Sequence, residues 1–118
     1  MTVKIQSQKI GGTAYYRFSI SIALNTIVAP AANTKGIRVR YARVQAYSGV
    51  TRLMAKTSAP ADVTDGVEIL GAAVTGSVAN IYVVLPDEKI IPPGFGLYEQ
   101  SNNGAQEGIV SVDYEVLA

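Results

Sequence analysis

The ten residues YYRFSISIAL, starting at Tyr15, alternate apolar and polar side chains with a period of two. Tyr16, Phe18, Ile20, Ile22 and Leu24 fall on one side, and Arg17, Ser19, Ser21 and Ala23 on the other. A helix repeats every 3.6 residues and would scatter this set around its surface, whereas a strand collects it on one face. The stretch therefore reads as one half-buried strand with its apolar face turned inward.

The same period recurs along the chain. In IRVRYARVQA, Ile37, Val39 and Tyr41 share a face opposite Arg38 and Arg40. After Ala42 the apolar phase changes, since Val44 and Ala46 are even-numbered and Arg43 falls on the formerly inner side. A phase change inside a continuous strand implies a bulge or a change of packing partner. TRLMAKTS is a short strand, and APADVTDGVEILGAAVTG admits either a strand or a short helix around its Asp65-Gly66 turn signal. In SVANIYVVLP, Ala79, Ile81, Val83 and Leu85 form the inner face, and Tyr82 with Val84 suggests burial on both sides. Val110, Val112, Tyr114 and Val116 alternate in the last strand, which forms a candidate hairpin with GLYEQ around SNNGAQE. Seven or eight short strands punctuated by turn signals, with no amphipathic helix, describe an all-β sandwich or barrel. At 118 residues, residues 1–118 form one domain with a core that needs no disulfide or metal.

Composition acts by exclusion. The chain has no Cys and no His. Disulfide frameworks, thiolate metal sites, cysteine nucleophiles and imidazole bases or ligands are thereby removed. Charged residues make up 16% of the chain, against about 25% in average usage. So apolar a domain has either a thick core or a surface hidden against copies of itself or a large partner. No apolar run approaches the length of a bilayer span, and MTVKIQSQKIGG lacks the apolar segment of a signal peptide.

The charges are segregated. Nine of the ten basic residues precede Asp62, and all nine acids lie from Asp62 to Glu115. Two oppositely charged halves nearly cancel, which argues against nucleic acid as a partner. Arg38, Arg40 and Arg43 are the strongest basic candidates for an interface, because arginine makes bidentate carboxylate contacts. Equally, early and late strands pair often in sandwiches, and the opposite charges can then neutralise one another across one sheet.

The stretch IIPPGFGLYEQSNNG, from Ile90, is the most glycine- and proline-rich segment. Its Gly94-Phe95-Gly96 lacks the third glycine and the following helix of a dinucleotide fingerprint, and there is no Gly-Lys-Ser/Thr of a P-loop. Pro92-Pro93 breaks ladder pairing, Gly94 supplies a turn and Gly96 permits close approach, so the stretch reads as a rim loop feeding a late strand. Asp62, Asp65 and Glu68 lack the spacing of an EF-hand and read as a solvated acidic turn. Asp113 and Glu115 share a strand face as a glycosidase pair would, but so do acids on ordinary solvated strands. Serines lack both a histidine base and a Ser-x-x-Lys arrangement. No catalytic, metal or cofactor site follows. The seven tyrosines suit core or interface packing.

The ending LPDEKIIPPGFGLYEQSNNGAQEGIVSVDYEVLA resembles the ending of small jelly-roll virion proteins of tailed bacteriophages, with a proline-glycine entry, a Gly-Leu-Tyr strand and a final alternating strand. The resemblance covers the last third of the chain and carries no diagnostic catalytic motif. It implies an antiparallel, jelly-roll-like β-sandwich that assembles on a particle in the bacterial cytoplasm and ends in the virion. It further implies a capsid decoration or cement protein, homo-oligomeric and in contact with the major capsid protein or another virion protein. A carbohydrate- or receptor-binding module of a phage fibre is the alternative. Candidate interface residues are Arg38, Arg40, Arg43, Pro92, Pro93, Phe95 and Tyr98. A concave groove lined by Tyr with Asn or Asp would favour the glycan reading; flat, charged or strand-edge surfaces would favour the shell.

Overall fold

The computed structural model describes residues 4–9, 13–19, 23–47, 49–62, 64–74, 81–101 and 108–118, with side chains described from residue 24 onward. Among these, ten strands run in the order β1 (Lys4–Lys9), β2 (Thr13–Ser19), β3 (Ala23–Val28), β4 (Ile37–Ala46), β5 (Gly49–Lys56), β6 (Val67–Val74), β7 (Ile81–Val84), β8 (Lys89–Ile91), β9 (Gly96–Ser101) and β10 (Gly108–Val116). A 3-10 turn, Pro30–Ala32, separates β3 from β4.

The strands form two antiparallel sheets. The first runs β1-β2-β10-β4, and the far side of β4 is shared by β7 and β8, placed end to end. The second runs β3-β9-β5-β6. From β2 onward the chain crosses repeatedly between sheets: β2, β4, β7, β8 and β10 lie in one, and β3, β5, β6 and β9 in the other. This is the double Greek key of a jelly roll, an all-β sandwich. With β7 and β8 taken as one interrupted strand and the edge strand β1 set aside, eight strands build the two layers.

The core lies where the inner faces meet. Ile37, Val39, Ala42, Val44 and Ala46 of β4 pack with Val110, Val112 and Tyr114 of β10 and with Leu53, Ala55 and Leu97 from the second sheet. Each large aliphatic side chain so buried contributes about 1.5–3 kcal/mol relative to exposure.

Several expectations are corrected by this topology. YYRFSISIAL is not one strand: β2 ends at Ser19 in the first sheet and β3 starts at Ala23 in the second. The inward face expected for Tyr16, Phe18, Ile20 and Ile22 falls outside the described side chains, and so does that of Ala79. Nor do β9 and β10 form a hairpin, because they lie in different sheets. The ambiguous segment before residue 75 is strand β6.

The phase change in β4 is a bulge, one turn of the pleat earlier than the residue pattern placed it. Val39 faces Tyr114 and Tyr41 faces Asp113, so Arg40 is the extra residue. The bulge sends Tyr41 outward, where 44% of its surface is exposed, and returns Ala42 to the core. β7 is an edge strand, so Ile81, Tyr82 and Val84 are exposed instead of buried on both sides. Val116 is likewise exposed, at the last position of β10.

Candidate interaction surface

The outer face of the first sheet gathers the three arginines singled out in the sequence. Cross-strand register puts Arg38 beside Glu115 and Ile90, and Arg43 beside Ser111 and Val84. Arg38 pairs with Glu88 at 3.3 Å and with Glu115 at 3.6 Å. The bulged Arg40 reaches Glu115 at 2.6 Å through Nη2, and Nη1 lies 3.6 Å from Asp113. Asp113 and Glu115 are thus the internal counter-ions of the basic strand, and the two charged halves of the chain meet across one sheet. Such half-exposed pairs are worth about 0.2–1 kcal/mol each.

Arg43 differs. Its Nη2 donates to Gln45 Oε1 at 3.3 Å, and its guanidinium lies 4.4 Å from the centroid of the Tyr82 ring. Among the described residues it has no carboxylate partner. Tyr41 and Val84 expose apolar surface on the same face, and Ile90 does so farther along, beside Arg38, where β7 and β8 form one edge of the sheet.

The proline-glycine stretch is built as a rim loop. β8 ends at Ile91, Gly94 takes φ 86° in the turn, and β9 starts at Gly96. A second turn holds it. The buried Asn33 side chain donates to the carbonyls of Pro92 at 2.8 Å and Phe95 at 2.9 Å, and accepts from the Gly36 N–H at 2.7 Å. The Gly94 N–H donates back to the Asn33 carbonyl at 2.8 Å. Pro92 and Pro93 are exposed, and Phe95 is half-buried. Tyr98 is buried and offers no surface to a partner; a Cβ on Gly96 would collide with its ring and with Pro30. Burial raises the Tyr98 hydroxyl above its ordinary pKa, against a smaller opposing effect of Lys56.

The acidic turn is structural in its contacts. Asp62 accepts from the Thr64 hydroxyl at 2.5 Å and the Thr64 N–H at 2.8 Å. Asp65 accepts from Lys56 at 2.5 Å and the Ala61 N–H at 2.8 Å. These bonds, the side-chain one foremost in each, hold both carboxyls below their ordinary pKa. Glu68 turns away to Arg52, 2.5 Å distant. Among the described residues no group of acids is arranged to hold a metal ion.

Two features were not legible in the sequence. The first is a polar end of the sandwich interior. Glu99 is 1% exposed and accepts from Asn25 at 2.8 Å, and Thr51 shares a 3.0 Å hydrogen bond with Ser101. Nothing in GLYEQ marks its glutamate as interior, because the apolar periodicity of β9 breaks there. The second is an apolar groove of about 400 Å³ between β6 and β8, floored by Ala55, Ile91 and Phe95. Pro92 and Phe95 from the candidate interface line it, but Lys89, Val67 and Ile69 carried no sequence signal beyond strand periodicity.

No protein-family model matches the chain. No curated protein matches it either. Among solved structures, the capsular polysaccharide assembling protein CapF from Staphylococcus aureus aligns with 97% of this chain and 31% of its own, at 11% identity and a TM-score of 0.37. Peruvianin-I, a cysteine peptidase from Thevetia peruviana latex, aligns with 98% of this chain and 67% of its own, at 12% identity and a TM-score of 0.34. This chain spans about a third of the CapF length. Likenesses at these scores carry no argument about function.

Proposed function

We propose that this chain is a non-enzymatic structural protein of a tailed-phage virion, of the capsid decoration or cement kind, acting as a homo-oligomer seated on the shell. The observation that carries this reading is the exposed edge of the first sheet. Ile81, Tyr82, Val84 and Ile90 lie at 40–56% exposure on β7 and β8, which together form one edge of that sheet, and Tyr82 carries the Arg43 stack. Strand edges normally blunt themselves with charge or cover, and an edge this apolar fits burial in an assembly. Aromatic residues and arginine are also the side chains enriched in such contacts. Binding only the assembled shell stabilises it by mass action, without any chemical step.

The glycan-binding reading has less support. The groove is lined by aliphatic residues, Pro92 and Phe95 together with Glu68 and Lys89, with no tyrosine, asparagine or aspartate. Jelly rolls serve capsids and lectins alike, so the fold does not choose between them.

The test is quantitative mass spectrometry of purified particles from the phage that carries the gene, with light scattering of the isolated chain. The expected result is a fixed, high copy number per particle and loss of incorporation for Tyr82→Ser with Val84→Ser. Absence from washed particles would sink the reading, and so would incorporation indifferent to those two changes.

A further inference from the structure

The two sheets do not close along their whole length. At one end of β6, Ala72 and Val74 pack into the core, but at the other end the β6 and β8 edges part and leave the apolar groove. A bulge at Ile69, which is unpaired where Leu53 faces Leu70 and Met54 faces Glu68, bends β6 at that point. Register places Val67 beside the core residue Ala55, yet Val67 is 61% exposed. Lys89 stands opposite the buried Val39, and the side chain at that inward position is exposed at the groove mouth. The other charges near the mouth are engaged: Glu68 with Arg52 and Glu88 with Arg38. Among the described residues, Lys89 has no carboxylate partner.

We infer that this groove binds an extended segment of a partner protein, one that places apolar side chains between the sheets and a carboxylate against Lys89. The apolar lining supplies the desolvation that drives binding. The uncompensated ammonium selects an acidic neighbour, and its alkyl stem can lie along the apolar wall. An extended main chain fits better than a compact ligand because both lips are edge strands, and each presents alternate N–H and C=O groups outward. Val67 and Ile90 line the groove and are themselves 61% and 56% exposed, so its apolar surface opens outward to the occupant. The groove takes such a segment whether or not the chain sits on a virion.

The test uses yeast-displayed linear eight-residue peptides selected against the intact chain, followed by titration of the enriched synthetic peptide. The expected motif alternates apolar residues and carries Asp or Glu. Lys89→Glu should weaken the acidic peptide by about tenfold, and the same peptide with Lys in place of its acid should recover affinity on that variant. Val67→Ser, at an exposed position, should weaken binding with no change in the unfolding midpoint. Three results would overturn the inference: no enrichment dependent on Lys89 and Val67, binding of decanoate in the groove in preference to every selected peptide, or a Lys89→Leu variant that merely self-associates. The last would make Lys89 a guard of the strand edge and nothing more. Particle incorporation plays no part in these readouts, so a failure here is distinguishable from a failure of the virion reading.

Discussion

The side-chain amide of Asn33 donates to the main-chain carbonyl of Phe95 at 2.9 Å, across 62 residues of sequence. That bond, with those to Pro92 and Gly36, ties the turn before β4 to the loop that floors the groove. Asn33 is 2% exposed, so water cannot replace the amide. Asn33→Ala should lower unfolding free energy by about 2–4 kcal/mol, from one buried and two part-buried bonds left unmade. Urea denaturation checks the size, and the fluorescence or NMR response of the groove checks that Phe95 has moved. A loss below about 0.5 kcal/mol would mean that the loop holds itself, since that is the floor for one net hydrogen bond.

Gly108 faces Thr51 across the sandwich, and a Cβ there would run into the Thr51 hydroxyl and methyl. Both residues are buried, and the Thr51 hydroxyl also bonds Ser101. Gly108→Ala should cost about 1–3 kcal/mol by overpacking. In combination with Thr51→Ala the total should be less than the sum of the two single losses, because the second change removes the atoms that clash. Strict additivity in a double-mutant cycle would rule out that contact as the cause.

The arginines of β4 should separate in their effects. Arg40→Gln removes partly exposed ion pairs to Glu115 and Asp113, and should change stability by no more than about 1 kcal/mol, less at high salt. If the sheet edge is the assembly surface, Arg43→Gln should impair oligomerisation or particle binding more than Arg40→Gln does. Arg43 lacks a carboxylate partner among the described residues, and its loss also unstacks Tyr82. Equal effects of the two variants in a sedimentation assay would contradict this ordering.

Acid should act through the turn at Asp62 and Asp65. Both carboxyls are held below their ordinary value of 3.8 by hydrogen bonds that exist only in the folded chain. The unfolded chain therefore binds protons first as pH falls. Their contribution is complete well above pH 3.8, declines as pH drops through that value, and is gone below the lowered folded values. Asp65→Asn should flatten the stability–pH profile in that window. An unchanged profile from pH 5 to pH 2 would show that other groups govern the acid limb.

The alternating runs determined the all-β class and most of one face of β4 and β10, because a strand needs only its own period of two to declare which side is apolar. They also determined the rim loop, since Pro92-Pro93 cannot pair in a ladder and Gly94 alone tolerates φ 86° there. Which strands became neighbours was decided by tertiary structure. YYRFSISIAL reads continuously, yet β2 and β3 belong to opposite sheets, because pairing is a long-range match between strands and leaves little trace in either one. The bulge at Arg40 turned Tyr41 outward although its period placed it inward. The buried Glu99 and the groove at Lys89 were decided in the same way. A polar residue becomes interior, and an apolar one exposed, according to what the opposite sheet brings against it, and that partner lies dozens of residues away in the chain.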